Sequence, residues 1–166
     1  MTLGLSLETF TLVHVVISLI GILSGFVVVF GLLGGKLLDA WTALFLTTTV
    51  LTSVTGFMFP FEKVTPGIKL GIISLVVLAI AIAARYAFHL VGAWRTIYAV
   101  GATLALYLNV FVLVVQSFEK VPALHALAPT GSEPAFLAAQ LVVLAAFLAL
   151  GAFATIRFRH AAAHPA

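Results

Sequence analysis

The chain has 166 residues, 63% hydrophobic and 8% charged, with a mean hydropathy of +1.28 and a formal net charge of +3. A soluble domain carries about 25% charged residues, so this chain cannot cover a globule with polar surface, and lipid must be its solvent. That composition excludes soluble nucleic-acid-binding and peptide-binding folds. The lack of cysteine excludes disulfides, thiolate metal sites, cysteine nucleophiles, iron–sulfur clusters and c-type haem attachment.

From the N-terminus, Met1 to Phe10 holds Glu8 and no Lys or Arg. Without a basic start or a small-residue cleavage site, the first apolar run is expected to stay as a membrane span. Five runs are long enough to cross a bilayer as helices of about 20 residues. They are residues 10–33, 41–60, 68–90, 96–118 and 134–156. Gly34, Gly35, Lys36 and Asp39 punctuate the first turn, and Pro60, Pro66 and Gly67 the second. Gly92 and Arg95 mark the third, and Pro122, Pro129, Gly131 and Pro134 fill the longest loop. Trp41, Trp94 and Tyr98 sit where interfacial aromatic anchors belong. The expected fold is therefore an all-α, five-span membrane bundle forming a single domain over residues 1–166.

Lys and Arg set the orientation. With the N-terminus outside, the inner side holds Lys36, Arg85, Arg95, Arg157 and Arg159, and the outer side only Lys63, Lys69 and Lys120. The bias favours N-out and C-in. The segment Phe61-Glu62-Lys63-Val64 returns as Phe118-Glu119-Lys120-Val121, an offset of 57 residues. Gly35 and Gly92, Trp41 and Tyr98, and Thr52 and Asn109 share that offset. Helices 1–2 and 3–4 thus read as two parallel-repeat hairpins, with a fifth helix added. Chance matches between apolar runs are the simpler account. The two Glu-Lys pairs read as interfacial caps, since adjacent residues do not face each other on a helix.

Polar side chains inside spans usually face other helices. His14, Ser18, Gly21 and Gly25 form one stripe of helix 1, and Gly21 and Gly25 permit close backbone approach. Thr52 on helix 2, Asn109 and Gln116 on helix 4 and Gln140 on helix 5 complete a set that converges toward the outer half. His14, Ser18, Thr52, Asn109, Gln116 and Gln140 are the candidate lining of an outward-facing polar intramembrane pocket. Ordinary interhelical hydrogen bonding explains the same residues.

His14 is also a candidate haem or metal ligand, with His125 the only histidine partner on its side. Glu8, Glu119 and Glu133 are carboxylates without metal-ligand spacing. Arg85 and His89, four residues apart, form a candidate inner-side anion or lipid site, while pairing of Arg85 with Asp39 is the structural alternative. No hydrolase, zincin or phosphate-loop motif is present, and no acid lies within a span.

These residues predict a non-enzymatic binding or accessory component of a membrane complex, in contact with the bilayer, as a homo-oligomer or a subunit. The apolar first run without a cleavable leader fits a bacterial inner membrane. The alternatives are a small electron carrier binding haem b or a quinone, and a small-solute transporter or channel subunit.

Overall fold

The computed structural model describes Gly4, residues 6–60 and residues 65–161. The first Phe-Glu-Lys-Val copy, residues 61–64, lies outside the described residues. The described chain is all-helical, without a strand. Its elements are α1 (Leu7–Leu33), α2 (Asp39–Gly56), α3 (Pro66–Ile82), a π turn (Ala83–Ala87), α4 (Ala93–Lys120), the short α5 (Pro122–His125) and α6 (Pro134–Ala161).

Local chemistry sets the helix ends. Ser6 caps α1 by accepting the Thr9 N–H at 3.2 Å, so α1 starts earlier than the apolar run alone suggests. Thr65 caps α3 by accepting from the Ile68 N–H, and Pro66 takes the first-turn place where its missing N–H costs nothing. Past Ile82 the helix widens into the π turn, where the Phe88 N–H donates to the Ala83 carbonyl. The chain then reverses through His89 and Leu90, at φ of 47° and 58°. Such left-handed backbone costs about 1–2 kcal/mol per residue outside glycine. Burial of Leu90 and stacking of Phe88 on Trp94, with ring centroids 3.8 Å apart, offset it.

Four helices are long and apolar enough to cross a membrane: α1, α3 with its π turn, α4 and α6. The 18-residue α2 is not among them, because Asp39 and its run of threonines dilute its apolar character. The boundaries also differ from expectation. Residues 57–60 fall outside α2, α3 closes through the π turn at Ala87, and α6 runs on to Ala161.

The helices α6, α1, α2 and α3 pack in that order as an arc, and α4 lies against α6, α1 and α3 inside it. Small residues on α4 make this possible: Ala99, Ala102 and Ala105 are fully buried, as are Tyr98 and Leu106. α2 runs antiparallel to α1. Its Thr55 meets His14 near the start of α1, and its Phe45 lies against Gly25 farther along. A Cβ on Gly25 would stand 2.7 Å from Leu106 Cδ1 and 2.8 Å from the Phe45 ring, so α1 approaches α2 and α4 as only glycine permits.

Candidate functional site

The polar residues of the spans meet mostly in pairs. His14 Nδ1 lies 2.7 Å from Thr55 Oγ1, and its ring packs edge-on against Phe59. Ser18 donates to the His14 carbonyl of its own helix, and Thr52 to the Thr48 carbonyl of its own. Asn109 reaches α2, but it donates to Thr49 Oγ1 at 3.3 Å and not to Thr52. Gly21 closes this tier, because a Cβ there would stand 3.2 Å from Thr48 Oγ1 and 3.3 Å from Thr49 Oγ1. Such interhelical bonds average about 0.6 kcal/mol in membranes.

The two glutamines also go separate ways. Gln116 donates to Glu119 of its own helix at 3.1 Å. Gln140 of α6 is buried and donates to the Phe111 carbonyl of α4, leaving its Oε1 without a partner among the described residues. Thus His14 joins α1 to Thr55 of α2, and Asn109 separately joins α4 to Thr49 of α2, while Ser18, Thr52 and Gln116 satisfy themselves within their own helices.

At the opposite end Arg85 donates to the Asp39 carboxylate. Arg85 and His89 do not share a helical face. The π turn ends at Ala87 and His89 lies in the left-handed turn, so helical spacing does not apply to them. Nearby, buried Thr42 and Tyr98 hydroxyls lie 3.2 Å apart and join α2 to α4. Arg95 donates to the Phe158 carbonyl at 2.7 Å and sits 3.8 Å over the Phe158 ring, pinning the start of α4 to the end of α6.

The loop between α4 and α6 is built as tightly as a helix cap. Glu133 accepts from the Thr130 N–H at 3.1 Å, the Thr130 hydroxyl at 2.9 Å and the Ser132 N–H at 3.0 Å. Desolvation pushes the Glu133 carboxyl up, but these donors outweigh it and hold it below the usual carboxylate range. Gly131 supplies the turn with a φ of 70°.

This loop folds over a cleft of about 280 Å³, lined by Phe118, Glu119, His125, Thr130 and Phe136, among others. Phe118 and Phe136 meet edge to face with centroids 5.4 Å apart, joining the end of α4 to the start of α6. The cleft thus combines an acid, an imidazole and a hydroxyl with aromatic walls. None of the six residues expected to line a pocket in the spans lines it. Thr130 and Phe136 carry no sequence signal of their own; only the proline-bounded loop hinted that the chain folds back there.

His14 packs on Thr55, Gly56 and Phe59, and His125 lines the cleft under the α4–α6 connection. Among the described residues no three His, Asp or Glu side chains gather as a metal-binding group. Comparison with protein-family models, with curated proteins and with solved structures finds no match for this chain.

Proposed function

We propose that the chain is a non-enzymatic integral membrane protein of five helical spans, N-terminus outside, which binds a small amphiphilic amine in the cleft between α4 and α6. It serves as a homo-oligomer or as a component of a complex in a bacterial inner membrane. The observation that carries the binding reading is that Glu119 and His125 line one cleft together with the Phe118 and Phe136 rings. A carboxylate pairs with an ammonium group, the imidazole supplies a second polar contact, and aromatic walls suit both a cation and its hydrocarbon body. The volume, at the small end for ligand sites, favours a compact ligand.

Three features support α2 as the fifth span. Its 18 residues reach about 27 Å at 1.5 Å per residue, close to a bilayer core of about 30 Å. The hydroxyls of Thr48, Thr52, Ser53 and Thr55 donate to carbonyls of α2 itself, so they enter hydrocarbon already satisfied. Its ends reach both ends of the bundle, at His14 and at Arg85. The N-out orientation rests on the excess of Lys and Arg at the Asp39 end. Exposed Leu141, Leu148, Phe153 and Ile156 on α6 suit contact with lipid, a second copy or a partner subunit. The duplicated-hairpin reading keeps the offset of 57 residues as its support.

The test is thermal denaturation of detergent-purified protein with a panel of small organic amines, and with matched carboxylates as controls. At about 100 times Kd an amine adds about 2.7 kcal/mol of stability. Amines raise Tm in the native chain, lose most of that effect in Glu119→Gln, and the carboxylates do nothing. No response to any amine, or the same response in Glu119→Gln and His125→Ala as in the native chain, overturns the assignment. A haem Soret band that disappears in His14→Ala would move the reading to the electron carrier.

A further inference from the structure

The second concavity lies on the other side of the molecule, between the end of α1 and the last turns of α6. It is a cleft of about 500 Å³ lined by Leu33, Ala146, Leu150, Phe153 and Arg157. Positions 146, 150, 153 and 157 follow helical spacing, so α6 presents one continuous strip to it. Ala146 leaves the strip hollow at one end, and Arg157 closes the other.

The dimensions match one leaflet. From Ala146 to Arg157 the strip runs about 16 Å at 1.5 Å per residue, against about 15 Å for half of a hydrocarbon core. From Pro134 to Arg157, α6 rises about 35 Å, which carries Arg157 past the core to headgroup depth. Arg157 is exposed and has no hydrogen-bond or ion-pair partner among the described residues. Gly35 packs on the end of α6, where a Cβ would stand 2.8 Å from Ala161 Cβ and 3.9 Å from the Arg157 carbonyl. Exposed Lys36 is next in the chain after Gly35, so its backbone lies close to the end of α6. Lys36, Arg85, Arg95, Arg157 and Arg159 occupy this end, and Asp39, its one acidic side chain among the described residues, is taken by Arg85.

We propose that this cleft binds one anionic membrane phospholipid, with an acyl chain along Leu33, Ala146, Leu150 and Phe153 and its phosphate at Arg157 and Lys36. Charge complementarity selects the head, because Arg157 lines the cleft without a carboxylate partner among the described residues and Asp39 is paired with Arg85. An apolar hollow facing the bilayer is filled at least cost by the acyl chain beside it. The site is separate from the Arg85–Asp39 pair and from the amine cleft, so its failure leaves the proposed function untouched.

The test reconstitutes the full chain in nanodiscs of phosphatidylcholine with increasing phosphatidylglycerol, and counts retained lipids by native mass spectrometry. The expected result is one phosphatidylglycerol retained in preference to phosphatidylcholine. Arg157→Gln weakens that retention about tenfold, in line with loss of a charge-assisted contact to phosphate. Leu150→Trp, which fills the cleft and leaves every charge in place, weakens it too. Arg159→Gln, on another face of the helix, leaves it unchanged. Equal retention of both lipids overturns the proposal. So does equal loss in Arg157→Gln and Arg159→Gln, which would mean only a diffuse basic surface. A dimer that shields Leu150 and persists in phosphatidylglycerol would assign the cleft to a second copy instead. Unchanged helical circular dichroism and elution volume qualify each variant.

Discussion

α4 and α6 have the same length, 28 residues, and both are apolar enough to span a membrane. Yet 50% of the apolar stretch of α4 is buried, against 11% for α6. Hydrophobicity cannot explain the difference, because lipid is as apolar as any leucine and offers no drive to bury one. The distribution of small and polar residues does explain it. α4 buries Tyr98, Ala99, Gly101, Ala102, Thr103, Ala105, Leu106 and Leu108, which wrap more than one side. α6 buries Gln140, Phe147, Ala154 and Phe158, a single seam seven, seven and four residues apart. A helix becomes central here by being thin enough for several neighbours, and peripheral by presenting one seam.

The comparison is broken most directly by truncating a leucine on each helix. Leu106 of α4 is fully buried, and Leu148 of α6 is 66% exposed. In water both changes would lose transfer energy, but in lipid that contribution nearly vanishes and only the cavity remains. Leu106→Ala should then cost about 2 kcal/mol, at the low end of buried truncations, and Leu148→Ala less than about 0.5 kcal/mol. Reversible unfolding in mixed detergent micelles measures both. Equal losses would mean that the exposed face of α6 is itself an interface.

Glycines sharpen the same contrast. In Gly25→Ala the new methyl collides with Leu106 and with the buried Phe45 ring, and overpacking of this kind costs about 1–2 kcal/mol. On α6, a Cβ at Gly151 would stand 3.2 Å from Thr103 Cγ2, a contact that a small shift relieves. There the gain in helix propensity, about 1 kcal/mol in water, offsets the strain, so Gly151→Ala should be neutral or mildly stabilising. A destabilised Gly151→Ala would show that α6 is held against α4 as rigidly as α1 is.

Much of this arrangement was legible in the residues. Five apolar runs read as spans, and four of them are helices long and apolar enough to cross a membrane; Asp39 could be named as the partner of Arg85 because it is the one acid predicted at that end. Rotation of a helix about its axis was not legible where polar residues surround it. Threonines 47, 48, 49, 52 and 55 circle much of α2, so nothing in the chain singled out Thr49 over Thr52 as the partner of Asn109. Gln140 was readable as inward-facing, but its acceptor is a backbone carbonyl, which every residue carries. The cleft at Glu119 and His125 depends on how a 13-residue connection between Lys120 and Pro134 folds back, and that is decided by the donors gathered on Glu133.

Those donors give the smallest expected effect, confined to the link between the two helices. The folded state holds the Glu133 carboxyl below its ordinary value, so ionised Glu133 favours the folded loop. That contribution is fully present above the ordinary carboxylate range and is lost as pH falls through the lowered folded value. Acid should therefore loosen the Thr130 and Ser132 amides, whose hydrogen-bond acceptor is the carboxylate, while the buried amides of α4 keep their protection. Amide hydrogen exchange at pH 6 and at pH 3, corrected for the intrinsic pH dependence of exchange, measures this. Glu133→Gln should make the loop insensitive to acid over that interval. If Glu133→Gln leaves the loop as protected at pH 6 as in the native chain, the loop is held by the Phe118–Phe136 contact, and α4 and α6 are joined there by packing rather than by charge.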